Sequence, residues 1–589
     1  MDIEKRLTSL REELKERGLD GWIVTGTDPH QSEYVAPRWR TREFISGFTG
    51  SAGVVVITLD KALLWTDSRY FIQAEKELAG TEYQLMKAGT EGTLDPWQWI
   101  EENVAARSSI GVDAECISIE LFSKLSMQFS AKSIELKAMD DLLSPLWEKR
   151  PDIPSTHIWQ MSAENSGRTS YDKVEDIRGY LRENGLRWIF ISSLDDIAWV
   201  TNLRADDIPC NPVFVAYLFI SLTKVVLFVD KKRFEGEREI LQDVKQVFDI
   251  KPYEDAVESL PKLARGAGCY SPERVSEIFH KALSGKKNLL TQDITTKMKA
   301  RKNKAEMKGM KLAHIYDAAA YVSFLARLDW NGRYTELEIA ERLEEERRKI
   351  PGYIGPSFNP IAGYREHGAM CHYSASEETS SEIDGHGLLV LDTGSQFEFG
   401  TTDITRTLLF GNEATEEEKR DYTLVLKGHL ALSRQHFISG TRGVQLDVLA
   451  KQYLWQHGES FFHGTGHGVG CVLNVHEGPQ RISSALIDVP LMPGMVVSDE
   501  PGVYKEDRYG IRIENLIAVK EESKTEFGEF FSFDVLTLVP YEKRLIDKSL
   551  LTMEEIAQID EYHQSIFKAI HELVDKDVLK WLEVATSPL

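Results

Sequence analysis

Two stretches of the chain repeat one pattern of apolar and polar positions. Leu10 to Gly18 reads as a charged amphipathic helix running into Leu19-Asp-Gly-Trp22-Ile-Val, and Val174 to Gly185 reads the same way before Leu186-Arg-Trp188-Ile-Phe. Each is followed by an acidic loop, Asp28 in one case and Asp195-Asp196 in the other, and then by strands such as Gly53-Val-Val-Val-Ile57 and Val225-Val-Leu-Phe-Val229. This echo predicts two related α/β domains in tandem. The polar connector around Pro151 and Pro154 marks the boundary between them. A second boundary falls near residue 300, where the basic run Lys297 to Lys304, read as a solvated face, precedes a long helical pattern from Ala305 to Trp330. The expected domains are thus 1–153, 154–300 and 301–589. At the far end, Thr552-Met-Glu-Glu555 is a capping box opening a final helix through Glu572, which packs on a sheet or serves a dimer contact.

The last third has a different texture. Gly387-Leu-Leu-Val-Leu-Asp392 is a buried strand with an acidic end, and Thr401-Thr-Asp403 opens another that runs to Phe410. A hairpin turning near Phe397 to Gly400 puts Asp392 and Asp403 on neighbouring strands. Val496-Val-Ser-Asp-Glu500-Pro-Gly ends a strand in a turn, and the alternation of Gly510-Ile-Arg-Ile-Glu514-Asn-Leu-Ile puts Arg512 and Glu514 on one face. Between these lies His463-Gly-Thr-Gly-His467-Gly-Val-Gly, continuing to Asn474-Val-His476-Glu-Gly-Pro479, where glycines let backbone approach while histidines share a space. Taken singly, an aspartate at a strand end is a cap or turn former, and a buried histidine a satisfied core group. Together, Asp392, Asp403, His467, Glu500 and Glu514 are more negative charge than a small site holds without multivalent cations. A pair of divalent metals is the expected occupant. Such carboxylate-rich sites suit hard or borderline ions, manganese first, with zinc or cobalt able to use the same atoms.

These segments, with Gly355-Pro-Ser-Phe and His372-Tyr373 ahead of them, resemble the pita-bread metallopeptidases, and among these the three-domain, cytosolic type of Xaa-Pro aminopeptidase. The resemblance covers essentially the whole chain. The fold it implies is two tandem creatinase-like α/β domains followed by a pita-bread catalytic domain (α/β, α+β). Asp403 and Glu514 would bridge both ions, Asp392 would hold one, and His467 with Glu500 would complete the other. A water between the ions would act as nucleophile, with Glu500 taking its proton. His372 or His476 would serve the oxyanion, while His463 and Arg512 would hold substrate or position ligands. Arg69 would approach the active site from the N-terminal domain of either subunit, or make a surface salt bridge. The substrates implied are peptides with proline second, a residue that lacks an amide hydrogen and is gripped by ring shape and the free α-amine. A homodimer is expected. One departure from the family pattern is the run Gly363-Tyr-Arg-Glu-His-Gly-Ala-Met370, at the pocket rim.

Composition narrows the partners. A chain of 589 residues suggests roughly two to four domains, and 42% hydrophobic with 28% charged residues marks it as globular. A net charge of −23 argues against nucleic acid. The most apolar stretch, Val213 to Val229, is broken by Ser221, Thr223 and Lys224 and reads as two strands joined by a turn, so no membrane span is expected. The charged start Met1-Asp-Ile-Glu-Lys-Arg lacks a signal core, and the five cysteines, without a C-x-x-C pair, fit a reducing cytoplasm. Two rival readings stand beside the aminopeptidase: a prolidase restricted to Xaa-Pro dipeptides, and a non-catalytic peptidase-like binding protein. The second goes with lost ligands, whereas every position here carries a donor.

Overall fold

A computed structural model describes residues 2–283 and 294–589, with the backbone of Asn288–Leu290. The chain forms two units, one of residues 1–160 with 168–296 and one of 161–167 with 297–589.

The first unit holds the duplication. One six-stranded sheet runs Gln84–Lys87, Ala62–Thr66, Val54–Thr58, Gly21–Val24, Ser109–Asp113, Glu135–Met139. The other runs Asp249–Lys251, Val225–Phe228, Tyr217–Ser221, Trp188–Ile191, Gly268–Tyr270, Asn288–Leu290, the same strand order by chain position. Alternation explains how each sheet is sealed. Trp22, Val24, Val55 and Ile57 pack with Leu7, Leu10 and Leu14 of the helix Ile3–Glu16, whereas Ile23, Val56 and Trp65 pack with Leu125 and Phe129 of the helix Ile119–Ser130. The first helix begins seven residues before the expected Leu10, because the same stripe already contains Leu7. Val213 to Val229 does form two antiparallel strands around a turn, and among the described residues no helix is long and apolar enough to cross a membrane.

The two α/β halves meet across a local two-fold axis. Ser118 pairs with Ser276 in an antiparallel bridge. Around it, the Ile119 N–H donates to Val275 O (3.0 Å) and, in mirror fashion, the Glu277 N–H to Ile117 O (2.8 Å). Further out, Glu120 N to Pro272 O matches Ile278 N to Ala114 O, each 3.0 Å. The hydroxyls of Thr25 and Ser192 donate to the equivalent carbonyls of Cys116 (2.9 Å) and Arg274 (2.6 Å). The repeat is therefore carried into the way the halves dock.

One expectation here is corrected. Asp195 and Asp196 are not in a loop but in the first turn of the helix Leu194–Thr201, where carboxylates complement the exposed N–H groups of a helix start. Asp196 is buried and accepts from Thr296 Oγ1 at 2.7 Å.

At the end of its strand, Asp113 accepts from the Glu115 N–H (2.9 Å), and burial, reinforced by Asp141, pushes its carboxyl up to about 7. Because the folded value lies above the unfolded one near 4, this group's contribution is most favourable below about pH 4 and is lost as pH rises through about 7. Asp113→Asn keeps the acceptor without the charge. It should stabilise the protein by roughly 1–2 kcal/mol at pH 8 and leave it unchanged near pH 4, read from denaturant titrations at both pH values; an equal effect at both would refute the assignment.

In the second unit, Gly387–Thr393 lies between Ile361–Tyr364 and Ile404–Phe410. A larger sheet orders Phe437–Ile438, Gly528–Val535, Asn515–Thr525, Val496–Asp499, Gly466–Gly468, Glu477–Ile482. Two apolar cores flank them: one gathers Leu424, Leu430, Leu446 and Leu454 from the helices Glu416–Ser433 and Gly443–Trp455, the other Tyr321, Leu325, Ile339 and Leu343 from Lys304–Arg327 and Glu336–Arg347. Capping boxes start three of these helices, at Asn303, Thr335 and Thr415, and another at Thr552 starts Met553–Ile570 as expected. That helix is not the last. A further one, Lys576–Ala585, follows, and Ile566, Ile570, Val578 and Leu582 complete the second core.

The solvated reading of the basic run at residue 300 holds for Lys297, Arg301 and Lys304, which are exposed, and is corrected for two lysines between them. Lys299 and Lys302 are not solvated: both side chains are buried against Glu477, with Nζ to carboxylate distances of 3.4 and 2.5 Å. The buried carboxylate and the two ammonium groups compensate one another's loss of water.

Candidate metal centre

The hairpin comes first. Gly387–Thr393 pairs antiparallel with Ile404–Phe410 so that Asp392 faces Thr405, and the chain turns through Phe397, which pairs with Gly400. Asp403 stands one residue before the second strand. Glu500 follows the strand Val496–Asp499, His467 is central in Gly466–Gly468, and these strands are joined through Gly468 and Val497. Glu514 is placed differently from expectation. The stretch Gly510 to Ile517 is not one strand: Tyr509–Arg512 pairs with Gly502–Lys505, Asn515–Thr525 pairs with Val496–Asp499, and Ile513-Glu514 is the link between. The Glu514 N–H pairs instead with Thr405 O (3.1 Å), the residue opposite Asp392. Arg512 and Glu514 still converge, because Arg512 Nε donates to Thr405 Oγ1 (3.2 Å), which donates to Glu514 Oε2 (2.8 Å).

Ligand atoms of Asp403, His467 and Glu514 all lie within 4.8 Å of one another. His467 Nε2 is 3.5 Å from Asp403 Oδ2 and 3.5 Å from Glu500 Oε1. Its Nδ1 faces Gly468 O at 3.0 Å, so Nδ1 carries a hydrogen and Nε2 is the ring atom turned toward the carboxylates. Ser498 fixes the pair: its Oγ accepts from the His467 N–H (2.9 Å) and donates to Glu500 Oε1 (3.1 Å).

The electrostatics fit a cationic occupant. Burial pushes Glu500 up to about 7, and burial with the charges of Asp403, Glu500 and Asp392 pushes Glu514 well above the carboxylate range. Burial raises Asp392 too, against the opposing pull of Arg512. For His467, burial disfavours the imidazolium, but Asp403 and Glu500 outweigh it and lift the ring to about 9. Asp392 Oδ1 is buried with no hydrogen-bond partner, while Oδ2 accepts from Arg512 Nη2 (2.6 Å). An orphaned carboxylate oxygen facing carboxylates that raise one another's proton affinity is the signature of a site built for divalent ions.

Arg512 also donates to Tyr504 OH (2.7 Å) and to the Cys371 carbonyl (3.2 Å). The Tyr504 hydroxyl is 2.8 Å from His463 Nε2. Since His463 Nδ1 faces the Gly464 carbonyl (2.8 Å), Nε2 is the acceptor and Tyr504 the donor. A relay Asp392–Arg512–Tyr504–His463 results. His476 meets the His467 ring edge-on, centroids 4.2 Å apart. His372 is half-buried in the turn beside Cys371.

The rim run 363–370 packs through glycines. A Cβ on Gly510 would sit 1.7 Å from Gly368 O, so backbone lies directly on backbone there. Arg69, in the first unit, has its guanidinium forked onto Asp67 at 2.8 Å for each contact, the salt-bridge alternative. None of the cysteines forms a disulfide.

Comparison with known proteins decides the family. Residues 308–521 match metallopeptidase family M24 and 529–589 its C-terminal region, while 6–146 and 149–306 each match the creatinase/prolidase N-terminal domain. A probable Xaa-Pro aminopeptidase P of Pyrenophora teres is 39% identical over 100% of this chain and 93% of the relative. The chain belongs to the M24 family of Xaa-Pro aminopeptidases. Another of its relatives, Xaa-Pro aminopeptidase 1 of Dictyostelium discoideum, is 37% identical over 100% of this chain and 97% of its own length. The crystal structure of an X-prolyl aminopeptidase from Caenorhabditis elegans, described as a cytosolic enzyme with a di-nuclear active site, superposes with a TM-score of 0.96 at 32% identity, covering 100% of both chains. The pita-bread fold of the M24 family and the duplicated N-terminal domain are thus both present.

Sequence reasoning missed Tyr504, Thr405 and Ser498 in this M24 site. Tyr504 was within reach: the hairpin closing through Lys505 to Tyr509 sets it opposite Gly510, two residues from Arg512. Thr405 and Ser498 are each two residues from a ligand, Asp403 and Glu500, and carry no pattern of their own.

Proposed function

We infer that this chain is a metal-dependent aminopeptidase that hydrolyses the N-terminal Xaa-Pro bond of peptides. The observation that carries the reading is the convergence of Asp403, His467 and Glu514 in an M24 chain similar over its whole length to Xaa-Pro aminopeptidases. In this reading Asp392, Asp403, His467, Glu500 and Glu514 would hold two divalent ions, with Asp403 and Glu514 as ligands common to both, and manganese would be the preferred metal on the chemistry of four carboxylates and one imidazole. The ions, when bound, supply the Lewis acidity that activates water and polarises the scissile carbonyl.

The protein's own groups do the rest. Glu500, its Oε1 held by Ser498, accepts the proton of the attacking water. His372 or His476 donates to the developing oxyanion. Arg512 opposes the effect of burial on Asp392 and aims its carboxylate, and through Tyr504 orients His463 toward substrate. Proline in second position offers no N–H, so the grip falls on the ring and on the α-amine, which the acidic site attracts. The domain limits 1–153, 154–300 and 301–589, a homodimeric state and a cytoplasmic location belong to the same reading, the last supported by the cytosolic nature of the C. elegans protein.

The test is direct. Metal-stripped protein is offered Xaa-Pro-Yaa tripeptides and Xaa-Pro dipeptides, with manganese, zinc or cobalt restored separately. Release of the first residue from tripeptides, highest with manganese, is expected. Cleavage of dipeptides alone would replace the reading with a prolidase, and failure with every metal would remove the peptidase reading altogether.

A further inference from the structure

Behind the metal centre lies a second constellation that the reaction as described does not use. His429, on the helix Glu416–Ser433, is fully buried, and both ring nitrogens are engaged. Nδ1 faces two acceptors of one residue, Asp499 O at 3.1 Å and Asp499 Oδ2 at 3.2 Å. Nε2 faces the Asn515 amide nitrogen at 3.1 Å and Tyr541 OH at 3.0 Å. Asp499 immediately precedes Glu500, and Asn515 immediately follows Glu514. One imidazole thus spans the two segments that carry the last two carboxylates of the centre.

The directions of these bonds are fixed rather than adjustable. Arg406 Nη2 donates to Asn515 Oδ1 at 2.8 Å, and Arg406 Nη1 donates to the Glu514 carbonyl at 2.7 Å. A guanidinium can only donate, so the Asn515 oxygen points to Arg406 and its NH₂ points to His429. An NH₂ group can only donate as well, so His429 Nε2 is an acceptor and the hydrogen sits on Nδ1. That hydrogen goes to the Asp499 carbonyl, while the wholly buried Asp499 carboxylate lies alongside with Oδ2 3.2 Å from the same nitrogen and no hydrogen bond of its own. Each donor therefore dictates the next, from Arg406 through Asn515 and His429 to Asp499.

We propose that His429 is a positioning residue of the metal centre, setting the separation of the Glu500 and Glu514 segments through Asp499 and Asn515. The proposal rests on the dinuclear reading of the site. An ion shared by ligands from both segments is held only as tightly as their spacing is held, because a gap of half an ångström has to be closed at the expense of binding. Residues that orient ligands in this way are worth about 10- to 100-fold in metal affinity. A purely packing role for His429 would cost fold stability and leave that affinity alone.

The experiment titrates the full-length apoprotein with Mn²⁺ by calorimetry and with Co²⁺ by visible absorption. His429→Phe keeps the ring volume and removes both bonds. His429→Asn keeps a donor toward Asp499 and gives up the acceptor toward Asn515, so it also serves if the phenylalanine variant fails to fold. Leu454→Ala, in the same core but outside the chain of bonds, matches the loss of packing. Expected is a rise of about 10- to 100-fold in the weaker stepwise Kd for His429→Phe, a smaller rise for His429→Asn, an altered Co²⁺ band shape in both, and wild-type values for Leu454→Ala. Wild-type Kd values and spectra in both His429 variants, or an equal shift in Leu454→Ala, would overturn the proposal while leaving the dinuclear site standing. A wild-type protein that itself binds fewer than two ions would overturn both.

Discussion

Asp403→Asn is expected to abolish metal binding and turnover together while making the metal-free protein more stable. Asp403 is buried beside His467 and adds its charge to the fields that raise Glu514 and Asp392. Asparagine has the same shape but brings no charge, so the remaining carboxylates repel less and the apoprotein gains stability. The cation loses a shared ligand at the same time. Since residues that merely orient ligands are worth about 10- to 100-fold, loss of the ligand itself should cost more than about 10³-fold in kcat/KM and reduce stoichiometry below two ions. Metal content by elemental analysis, with thermal melts in EDTA and in excess Mn²⁺, checks both halves. In wild type the metal should raise Tm; in the variant it should not. Undiminished stoichiometry would contradict the shared role of Asp403.

Glu336→Ala should give the complementary result, with metals retained and catalysis lost. The Glu336 carboxylate is fully buried and accepts from the Tyr364 N–H (2.7 Å), the Ser381 N–H (2.8 Å), Tyr373 OH (2.8 Å) and His367 Nδ1 (3.0 Å). It is thus the anchor of the segment 365–381, which carries His372 and presents the Cys371 carbonyl to Arg512. Alanine leaves these donors without an acceptor, at about 1–3 kcal/mol for each that water cannot reach, and the segment loosens. A fall of about 10²- to 10³-fold in kcat is expected, the scale of losing one oriented acid–base or oxyanion group. Two bound ions and an unchanged Co²⁺ spectrum should accompany it. If kcat is retained, the segment is not held by Glu336; if the ions are lost, Glu336 belongs to the centre itself.

What could be read from sequence, and what could not, follows from the range of the interactions. The hairpin bearing Asp392 and Asp403 was legible because its turn is short and its first strand is a continuous apolar run with an acid at the edge. The duplication was legible because helix, Trp-containing strand and following strands recur in order. The break at Ile513-Glu514 was not, since the alternation Ile511-Arg512-Ile513-Glu514 runs straight through it and the one lapse in the pattern, Glu514-Asn515, is too short to mark a change of partner strand. His429 was invisible as well: a single histidine within a buried helix has no local signal, and its partners Asp499 and Tyr541 are 70 and 112 residues away. The lysines near residue 300 misled for the same reason. A basic run reads as solvated unless its acidic partner is near in sequence, and Glu477 is 175 residues from Lys302.

Those two lysines also limit how the protein can be cut. A polypeptide started at 308, where the M24 match begins, would drop both ammonium groups and leave the Glu477 charge without either partner, one residue from His476. Starting at 301 would remove Lys299 and spare Lys302. The portable peptidase half therefore begins upstream of Lys299, and any excision or domain graft has to carry that short leader as part of its machinery.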